Sequence, residues 1–252
     1  MDADSLAPWY RWIEYAAFGP VLERHRILYF GRLSHAERIL VLGEGDGRSL
    51  VHVLNSSFAA QVDVIDSSAK MIALAKSRIA PTSRVRFQCA NALDRTWAEK
   101  HYDAIVTSFF LDCFHEDEAR ALMRGLAESL RPGGIWLVNE FAIPSSGWRK
   151  WKAQVWISTM YRFFGLTTGL RVRKLPPIGR LMTELGMTRT DLKESFGRMV
   201  ASEVWTKNDK AEPATQGVRP VRVQRTQYAT LLAPQSCRGS CSSRPSGGVC
   251  IF

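Results

Sequence analysis

The sequence predicts an α/β fold built on a doubly wound, mainly parallel sheet of seven strands. Short apolar runs alternate with helical patterns from Arg38 onward. The first of these runs, Ile39-Leu40-Val41-Leu42, is apolar at consecutive positions, as in a strand that is buried on both faces. The first run ends in closely spaced glycines, which mark a sharp turn into a helix. Strands that alternate with helices imply βαβ units and hence a parallel sheet.

Five strands are predicted before residue 140 and two more after residue 187. They cover Ile39–Leu42, Val62–Ile65, Val85–Cys89, Asp103–Thr107, Ile135–Val138, Thr188–Leu192 and Met199–Trp205, and Val218–Leu232 has the alternation of a further edge strand. Amphipathic or apolar spacing predicts the helices. They cover Pro8–Ser34, Leu50–Leu54, Ala69–Ile79, Asp117–Leu130, Trp148–Phe164 and Ile178–Leu185, the fourth being stopped by Pro132-Gly133-Gly134.

Charge is distributed unevenly along the 252 residues, whose formal net charge is +10. Residues 1–147 carry a net charge of −2, whereas residues 148–252 carry +12. Such asymmetry indicates an anionic partner, such as a membrane surface, an acidic substrate or nucleic acid. The acidic N-terminus and the absence of a long apolar run favour a cytoplasmic protein that touches membranes only peripherally.

The cysteines do not predict a metal site. Cys89 and Cys113 fall in segments expected to be core, where a free thiol behaves as a small hydrophobe. Cys237 and Cys241 lie in a polar tail, with no histidine after them and no second close pair. We therefore expect no bound metal.

The turn after the first strand reads Gly43-Glu44-Gly45-Asp46-Gly47. Glycine lets a ligand approach the main chain closely, and the next helix offers its N-terminal amides. The dinucleotide fingerprint GxGxxG would need Gly or Ala where this chain has Arg48, and no Walker A Lys-Ser/Thr follows. The pattern is GxGxG, which argues against NAD and against a P-loop.

Polar residues follow the next two strands at positions that suit an adenosine. Asp66 ends the second strand, where a carboxylate can accept both ribose hydroxyls. Ser67 and Ser68 can cap the following helix, and Met71 lies one turn into it, placed to pack on an adenine face. Asn91, after the third strand, can pair with the adenine amino group.

These elements resemble the class I S-adenosylmethionine (SAM)-dependent methyltransferases, nearest in style to the ubiquinone/menaquinone and small-molecule group. The resemblance is carried by Val41–Gly47, Asp66–Met71, Asn91-Ala92, Tyr102–Val106 and Leu130–Gly134, and covers about residues 38–141. It implies a Rossmann-like sheet and SAM as cofactor. The cofactor-binding residues that it implies are Gly43, Glu44, Gly45, Gly47, Asp66, Ser67, Met71, Asn91, Ala92 and Ser108.

One position departs from the family pattern. The family usually has an acidic residue two positions before the first loop glycine, where it helps to hold the methionine amino group, and this chain has Val41. Glu44 or Asp46 could supply the missing charge, in which case Glu44→Gln should weaken SAM binding. Asn91 also replaces a more usual acidic residue.

The resemblance also predicts the domain plan. Residues 1–36 form an N-terminal helical lid, residues 37–206 form the SAM-binding methyltransferase domain, and residues 207–252 form a polar, partly disordered tail. Within the domain, residues 148–186 are a helical substrate cover inserted after the fifth strand.

The acceptor site is expected beside the segment that follows the fourth strand. Methyl transfer from a sulfonium is an in-line displacement, so the protein mainly positions the reactants and sometimes removes a proton. Asp112 and His115 are the candidate general bases. The candidate substrate-contacting residues are Tyr10, Trp12, Tyr15, Phe109 and Trp148.

The basic aromatic stretch of residues 148–164 is typical of a segment that lies on a membrane surface. It favours a small, lipophilic acceptor and contact with an anionic membrane. A soluble aromatic or natural-product acceptor and a non-catalytic SAM-fold binding protein remain as alternatives. A nucleic-acid substrate is disfavoured because Ser108-Phe109-Phe110-Leu111 stands where amino-methylating enzymes that flip bases carry an Asn/Asp-Pro-Pro-Tyr/Phe motif. The sequence leaves the oligomeric state open.

Overall fold

The computed structural model describes residues 18–144, 147–148, 151, 154–155, 159 and 175–208. Seven strands lie in this part of the chain: β1 (Arg38–Leu42), β2 (Gln61–Asp66), β3 (Val85–Cys89), β4 (Tyr102–Ser108), β5 (Leu130–Phe141), β6 (Met187–Ser195) and β7 (Val200–Lys207). The described α-helices are α1 (Val21–Ile27), α2 (Arg48–Ser56), α3 (Ala69–Arg78), α4 (Glu116–Ser129) and α5 (Ile178–Glu184).

The seven strands form one sheet in the order β3-β2-β1-β4-β5-β7-β6. β1 to β5 are parallel, and β7 is antiparallel to both of its neighbours. The chain moves outward from β1 through β2 to β3 and then returns to the other side of β1 as β4. Ligands of open α/β sheets bind at such a switch point, outside the carboxyl ends of the strands. The predicted fold, a mainly parallel Rossmann-like sheet of seven strands, is confirmed.

Apolar side chains from both faces of the sheet form two core clusters. Leu40 and Leu42 of β1 belong to a cluster with α4 and α5, whereas Ile39 and Val41 belong to a cluster with α2 and α3. Alternate residues of a strand point to opposite faces, so a continuous apolar run is what a strand covered on both sides requires. The helices on both faces fix β1, and therefore the turn that follows it.

Three predicted details are wrong. The predicted helix of Pro8–Ser34 is interrupted in its described part: Gly19 has φ +59°, α1 begins at Val21, and residues 30–33 form a 3-10 helix. The fifth strand begins at Leu130 rather than Ile135, because Leu130 pairs with Tyr102 and the residues between form an irregularity in the register. Cys89 is exposed rather than core, since β3 is an edge strand.

Several predictions lie outside the described residues: the helix before residue 18, the edge strand at Val218–Leu232, the tail from residue 209 and most of the cover. None of the described helices has the length and apolar character needed to cross a membrane.

Candidate functional site

A narrow recess opens at the carboxyl ends of β1 and β2, beside the switch point of the sheet. Its walls come from the turn after β1, the end of β2, the segment after β3 and the segment after β4. The residues that line it are Gly43, Ile65, Asp66, Ser67, Ala90, Asn91, Ala92, Phe110 and Phe114. Five of the ten residues predicted to bind the cofactor are therefore brought together here, from three separate segments.

Asp66 is the charged group of this recess. Its Oδ1 accepts a hydrogen bond from the Ser68 amide at 2.8 Å, and its Oδ2 accepts one from the Gly45 amide at 3.3 Å. Burial raises the pKa of this carboxyl to about 6, although the amides of Ser68, Gly45 and Ser67 partly oppose the shift. An ionised carboxylate has about four lone-pair sites, so it can still accept hydroxyl donors from a ligand.

The glycines of the turn are required by its backbone. Gly43, Gly45 and Gly47 have φ of +65°, +65° and +87°, in the left-handed region that side chains disfavour. A Cβ on Gly43 would lie 2.4 Å from Cδ2 of Phe110, and one on Gly47 would lie 2.5 Å from Cα of Ala75. The turn therefore packs directly against a wall of the recess on one side and against α3 on the other.

The two acidic side chains of the turn point to other partners. Glu44 accepts from the Ser49 hydroxyl at 2.5 Å and the Leu50 amide at 2.6 Å, at the start of α2. Asp46 pairs with Arg48 at 3.0 Å and Arg78 at 2.9 Å. Neither residue lines the recess. The hypothesis that one of them replaces the acidic residue missing at Val41 stays a prediction. In the structure, the Glu44 carboxylate accepts hydrogen bonds from the first turn of α2.

Burial raises the pKa of Glu44 to about 7, and the hydrogen bonds from Ser49 and Leu50 oppose the shift. The nearby Arg26 guanidinium favours the ionised form, whereas Asp46 disfavours it. Glu44 therefore titrates close to neutral pH.

The side of the recess predicted to take adenine is formed by the segment after β3. Asn91 caps a short 3-10 helix over residues 92–94: its Oδ1 accepts from the Leu93 amide at 3.1 Å and its Nδ2 donates to Asp94 at 3.0 Å. Ala92 is buried beside it. Met71 is buried in α3, where its amide donates to the capping hydroxyl of Ser68, and it does not line the recess.

Ser108 ends β4 and Phe109 follows it, and neither residue lines the recess. The Ser108 hydroxyl accepts from Asn139 Nδ2 at 2.9 Å. Phe109 is fully buried, has φ +53°, and lies beneath the Arg26 guanidinium at 5.3 Å. A left-handed backbone conformation is strained for a residue with so bulky a side chain, and it persists only where the surrounding structure enforces it. Here the Phe109 amide donates to the Asn139 carbonyl at 2.7 Å.

The two candidate bases lie in different environments. Asp112 is almost completely buried, and the Cys113 thiol donates to its Oδ1 at 3.6 Å. His115 is exposed at the N-cap of α4, where its amide donates to Glu118 at 3.0 Å. A role as general base stays a prediction for both residues. Of the two, only Asp112 is removed from solvent, which is the more usual environment of a catalytic acid or base.

Three residues of this region were not singled out from the sequence, although the segment after β4, which contains two of them, was predicted to lie at the acceptor site. Phe110 and Phe114 line the recess, and their rings pack together at 5.2 Å. Glu140 lies at the end of β5, where its Oε1 accepts from the amides of Phe110 at 3.2 Å and Leu111 at 2.9 Å. An acidic residue within the apolar run of a buried strand was the available signal for Glu140.

The predicted substrate residues Tyr10, Trp12 and Tyr15 lie outside the described residues. Trp148 is described and is 69% exposed. Among the described residues, no group of three or more His, Cys, Asp and Glu side chains is placed to hold a metal ion.

Comparisons with known proteins agree with this architecture. Residues 39–134 match the family model described as a methyltransferase domain. A demethylmenaquinone methyltransferase of Clavibacter sepedonicus is 34% identical over 108 residues, which are 43% of this chain and 42% of that protein. The match thus spans less than half of that relative's length.

Solved methyltransferases share the fold at low identity. The N-methyltransferase NodS from Bradyrhizobium japonicum WM9 aligns at 18% identity and a TM-score of 0.56, over 75% of this chain and 97% of that one. The 1,6-didemethyltoxoflavin-N1-methyltransferase of Burkholderia thailandensis, solved with S-adenosylhomocysteine, aligns at 17% identity and 0.56, over 79% and 81%.

The family model covers β1 to the start of β5, the part of the chain that builds the recess. Residues 39–134 therefore match a methyltransferase domain, in a fold that solved methyltransferases share.

Proposed function

We propose that this chain is an enzyme that transfers the methyl group of SAM to a small, lipophilic acceptor. The observation that carries the proposal is the recess at the switch point, where the left-handed Gly43 and the buried Asp66 face Asn91 and Ala92. The carboxylate of Asp66 lies near a glycine that lets a ligand approach the main chain, and it faces the amide of Asn91 and apolar side chains. This arrangement suits an adenosine that carries the charged methionine part of SAM.

Each wall of the recess has a separate part in holding the cofactor. Asp66 would accept the ribose hydroxyls with its remaining lone pairs. Ile65, Phe110 and Phe114 offer apolar surface to the adenine, and the methionine part would lie along the turn at Gly43. SAM supplies a methyl group that its positive sulfur has already activated. The protein's task is then to hold the acceptor in line with it and to exclude water.

Calorimetric titration of SAM into the protein tests the cofactor site. We expect Asp66→Asn to weaken binding at least tenfold, because the amide cannot accept at both of its ends. Asp191→Asn is the matched control, since Asp191 pairs with Arg32 and lies on β6, at the edge of the sheet opposite to β2 and β3. Glu44→Gln, titrated in parallel, tests whether that carboxylate also holds the methionine amino group. Absence of SAM binding to the unaltered protein would overturn the proposal.

Three observations support a lipophilic acceptor and contact with an anionic membrane. The relative in Clavibacter sepedonicus is named a demethylmenaquinone methyltransferase. Trp148 and Trp151 are 69% and 70% exposed, and Val155 is exposed beside them. The net charge of +12 lies in residues 148–252. Exposed tryptophans with basic neighbours favour the surface of an anionic bilayer.

Co-sedimentation with vesicles of phosphatidylglycerol tests this finer proposal. Binding is expected at low salt and should fall as salt rises, because screening weakens attraction between exposed charges. Vesicles of neutral lipid are the control. If the protein stays in the supernatant with anionic vesicles at low salt, membrane contact is excluded.

Labelled SAM incubated with cell extract would identify the class of acceptor. Label in the lipid fraction supports the proposal, whereas label in water-soluble aromatic compounds supports the alternative acceptor. SAM binding without any transfer of label would favour a non-catalytic role.

A further inference from the structure

The segment that follows β4 begins with a short 3-10 helix over residues 111–113. Phe110 stands at its N-cap and has no side-chain group that could accept a hydrogen bond from the backbone. The first amides of a helix have no partner within it and need an acceptor from elsewhere. Here the acceptor comes from β5: Oε1 of Glu140 accepts from the amides of Phe110 at 3.2 Å and Leu111 at 2.9 Å. Glu140 therefore fixes the backbone of this segment from a position 30 residues away along the chain.

The residue that is held in this way forms a wall of the recess. Phe110 lines the recess, and a Cβ on Gly43 would overlap its Cδ2, so the ring packs directly on the glycine turn. The ring also packs on that of Phe114, at 5.2 Å, which lines the recess as well. Because packed side chains leave little free space, a shift of the Phe110 backbone would change the shape of the recess.

Glu140 occupies its position at a cost to folding. It is 5% exposed, and its Oε2 is buried without a hydrogen-bond partner among the described residues. Burial, and then the negative charge of Asp112, raise the pKa of this carboxyl well above its usual range. A buried carboxyl with incomplete hydrogen bonding lowers the free energy of unfolding, and such groups cluster at functional sites. The cost is explained if the hydrogen bonds to the segment after β4 serve the recess.

We propose that Glu140 is a positioning residue for the cofactor: its carboxyl holds the backbone at Phe110 and thereby keeps the Phe110 ring against the turn at Gly43, where SAM binding requires it. This inference deepens the proposed function and rests on it, since it takes the recess as the place where SAM binds. Glu140 itself does not line the recess, so its effect on the cofactor passes through the segment that it holds.

Calorimetric titration of SAM into two variants tests this role. Glu140→Met fills a similar volume but has no oxygen to accept from the two amides, so it should weaken SAM binding about tenfold. Glu140→Gln keeps a carbonyl oxygen for the amides and carries no charge for Asp112 to repel, so its affinity should stay within about threefold of the unaltered protein. Hydrogen exchange at the amides of Phe110 and Leu111 should be faster in Glu140→Met than in the unaltered protein.

Thr107→Val is the matched control. The Thr107 hydroxyl accepts from Trp136 Nε1 at 3.0 Å, so this isosteric change also removes a buried hydrogen bond between β4 and β5. Neither residue lines the recess. Thr107→Val should lower stability to urea but change SAM affinity by less than about twofold. A loss of SAM affinity as large as that of Glu140→Met would show general destabilisation and would overturn the inference.

Phe110→Leu identifies the side chain through which Glu140 acts. Leucine lacks the ring that packs on the turn, so adding Glu140→Met to this variant should weaken SAM binding further by less than about threefold. Fully additive losses would mean that the carboxyl affects the cofactor by a route other than the Phe110 ring, which contradicts the inference.

Equal SAM affinity of Glu140→Met and the unaltered protein would overturn the inference and leave the proposed function standing. Absence of SAM binding to the unaltered protein would overturn both. If Glu140→Met does not fold, Glu140→Asp takes its place, because it keeps the charge but withdraws the carboxyl from the amides by one CH₂ group. Glu140→Asp should also weaken SAM binding, and unchanged affinity in that variant would reject the positioning role.

Discussion

At the scale of single residues, the glycine turn shows how backbone geometry restricts sequence. Gly45 and Gly47 both have positive φ, but a Cβ would have open space at Gly45 and would overlap the Cα of Ala75 at Gly47. The first position requires only an unusual conformation. The second also requires the absence of a side chain, because α3 crosses the turn there.

Substitution by alanine should separate these two costs. Gly45→Ala should destabilise the protein by about 1–2 kcal/mol, the cost of a left-handed residue with a Cβ. Gly47→Ala should add about 1–3 kcal/mol for forcing α3 away from the turn. Unfolding in urea measures both variants against the unaltered protein. Equal losses would show that α3 yields without cost.

The sequence predicts a residue of the recess when that residue lies directly at the end of a predicted strand. Gly43 follows β1 and Asp66 ends β2, and the carboxyl ends of neighbouring parallel strands meet at one edge of a sheet. Phe110 and Glu140 were not predictable in this way. Their contact joins the segment after β4 to the end of β5, and no spacing rule states which side chain of a loop turns toward which strand.

At the scale of elements, periodic patterns predicted strands and helices better than their ends. The apolar runs of β1 and β2 place both strands within one residue of their observed bounds. The start of β5 was misplaced because Pro132-Gly133-Gly134 is usually a helix stop followed by a turn, whereas here these residues form an irregular part of the strand. Pairing with β4 overrides the local preference.

The attachment of α1 to β7 depends on a buried polar contact that sequence could not reveal. The Ser202 hydroxyl donates to the His25 carbonyl at 3.1 Å and lies 2.6 Å from His25 Nδ1. Because the hydroxyl proton is used, the ring nitrogen donates to Ser202 Oγ. The two residues are 177 positions apart.

Ser202→Ala should therefore leave two buried groups of His25 without partners and destabilise the protein by about 1–3 kcal/mol. Ser77→Ala is the matched control: its exposed hydroxyl donates to the Leu74 carbonyl, and its loss should change stability by less than about 0.5 kcal/mol. Chemical denaturation gives both values, and hydrogen exchange in α1 should accelerate selectively in Ser202→Ala. A loss no larger than that of the control would mean that packing alone holds α1.

At the scale of the whole molecule, two buried carboxyl groups at the end of the sheet lower the free energy of unfolding when they are ionised. Glu44 lies within the turn after β1 and Asp66 ends β2, and burial raises their pKa values to about 7 and about 6. Stability that the protein gives up here is typical of functional sites, where charges are held ready for a ligand.

The pH dependence of folding should show this cost. Because the folded state raises the pKa of Glu44, the folded protein binds more protons than the unfolded chain between about pH 4.5 and 7. Its contribution to stability is therefore complete below pH 4.5 and is lost as pH rises through 7. Glu44→Gln, which cannot ionise, should match the unaltered protein near pH 4.5 and exceed its stability by roughly 3 kcal/mol at pH 8.

Denaturant unfolding of the two proteins across this range measures the difference, with Glu37→Gln as the control because it removes a carboxylate from an exposed position. The difference for Glu44 should grow with pH, since ionisation must desolvate a charge whose hydrogen bonds from Ser49 and Leu50 offset only part of the cost. A flat difference would show that the pKa of Glu44 is the same in the folded protein as in the unfolded chain, and hence that its burial does not disfavour ionisation.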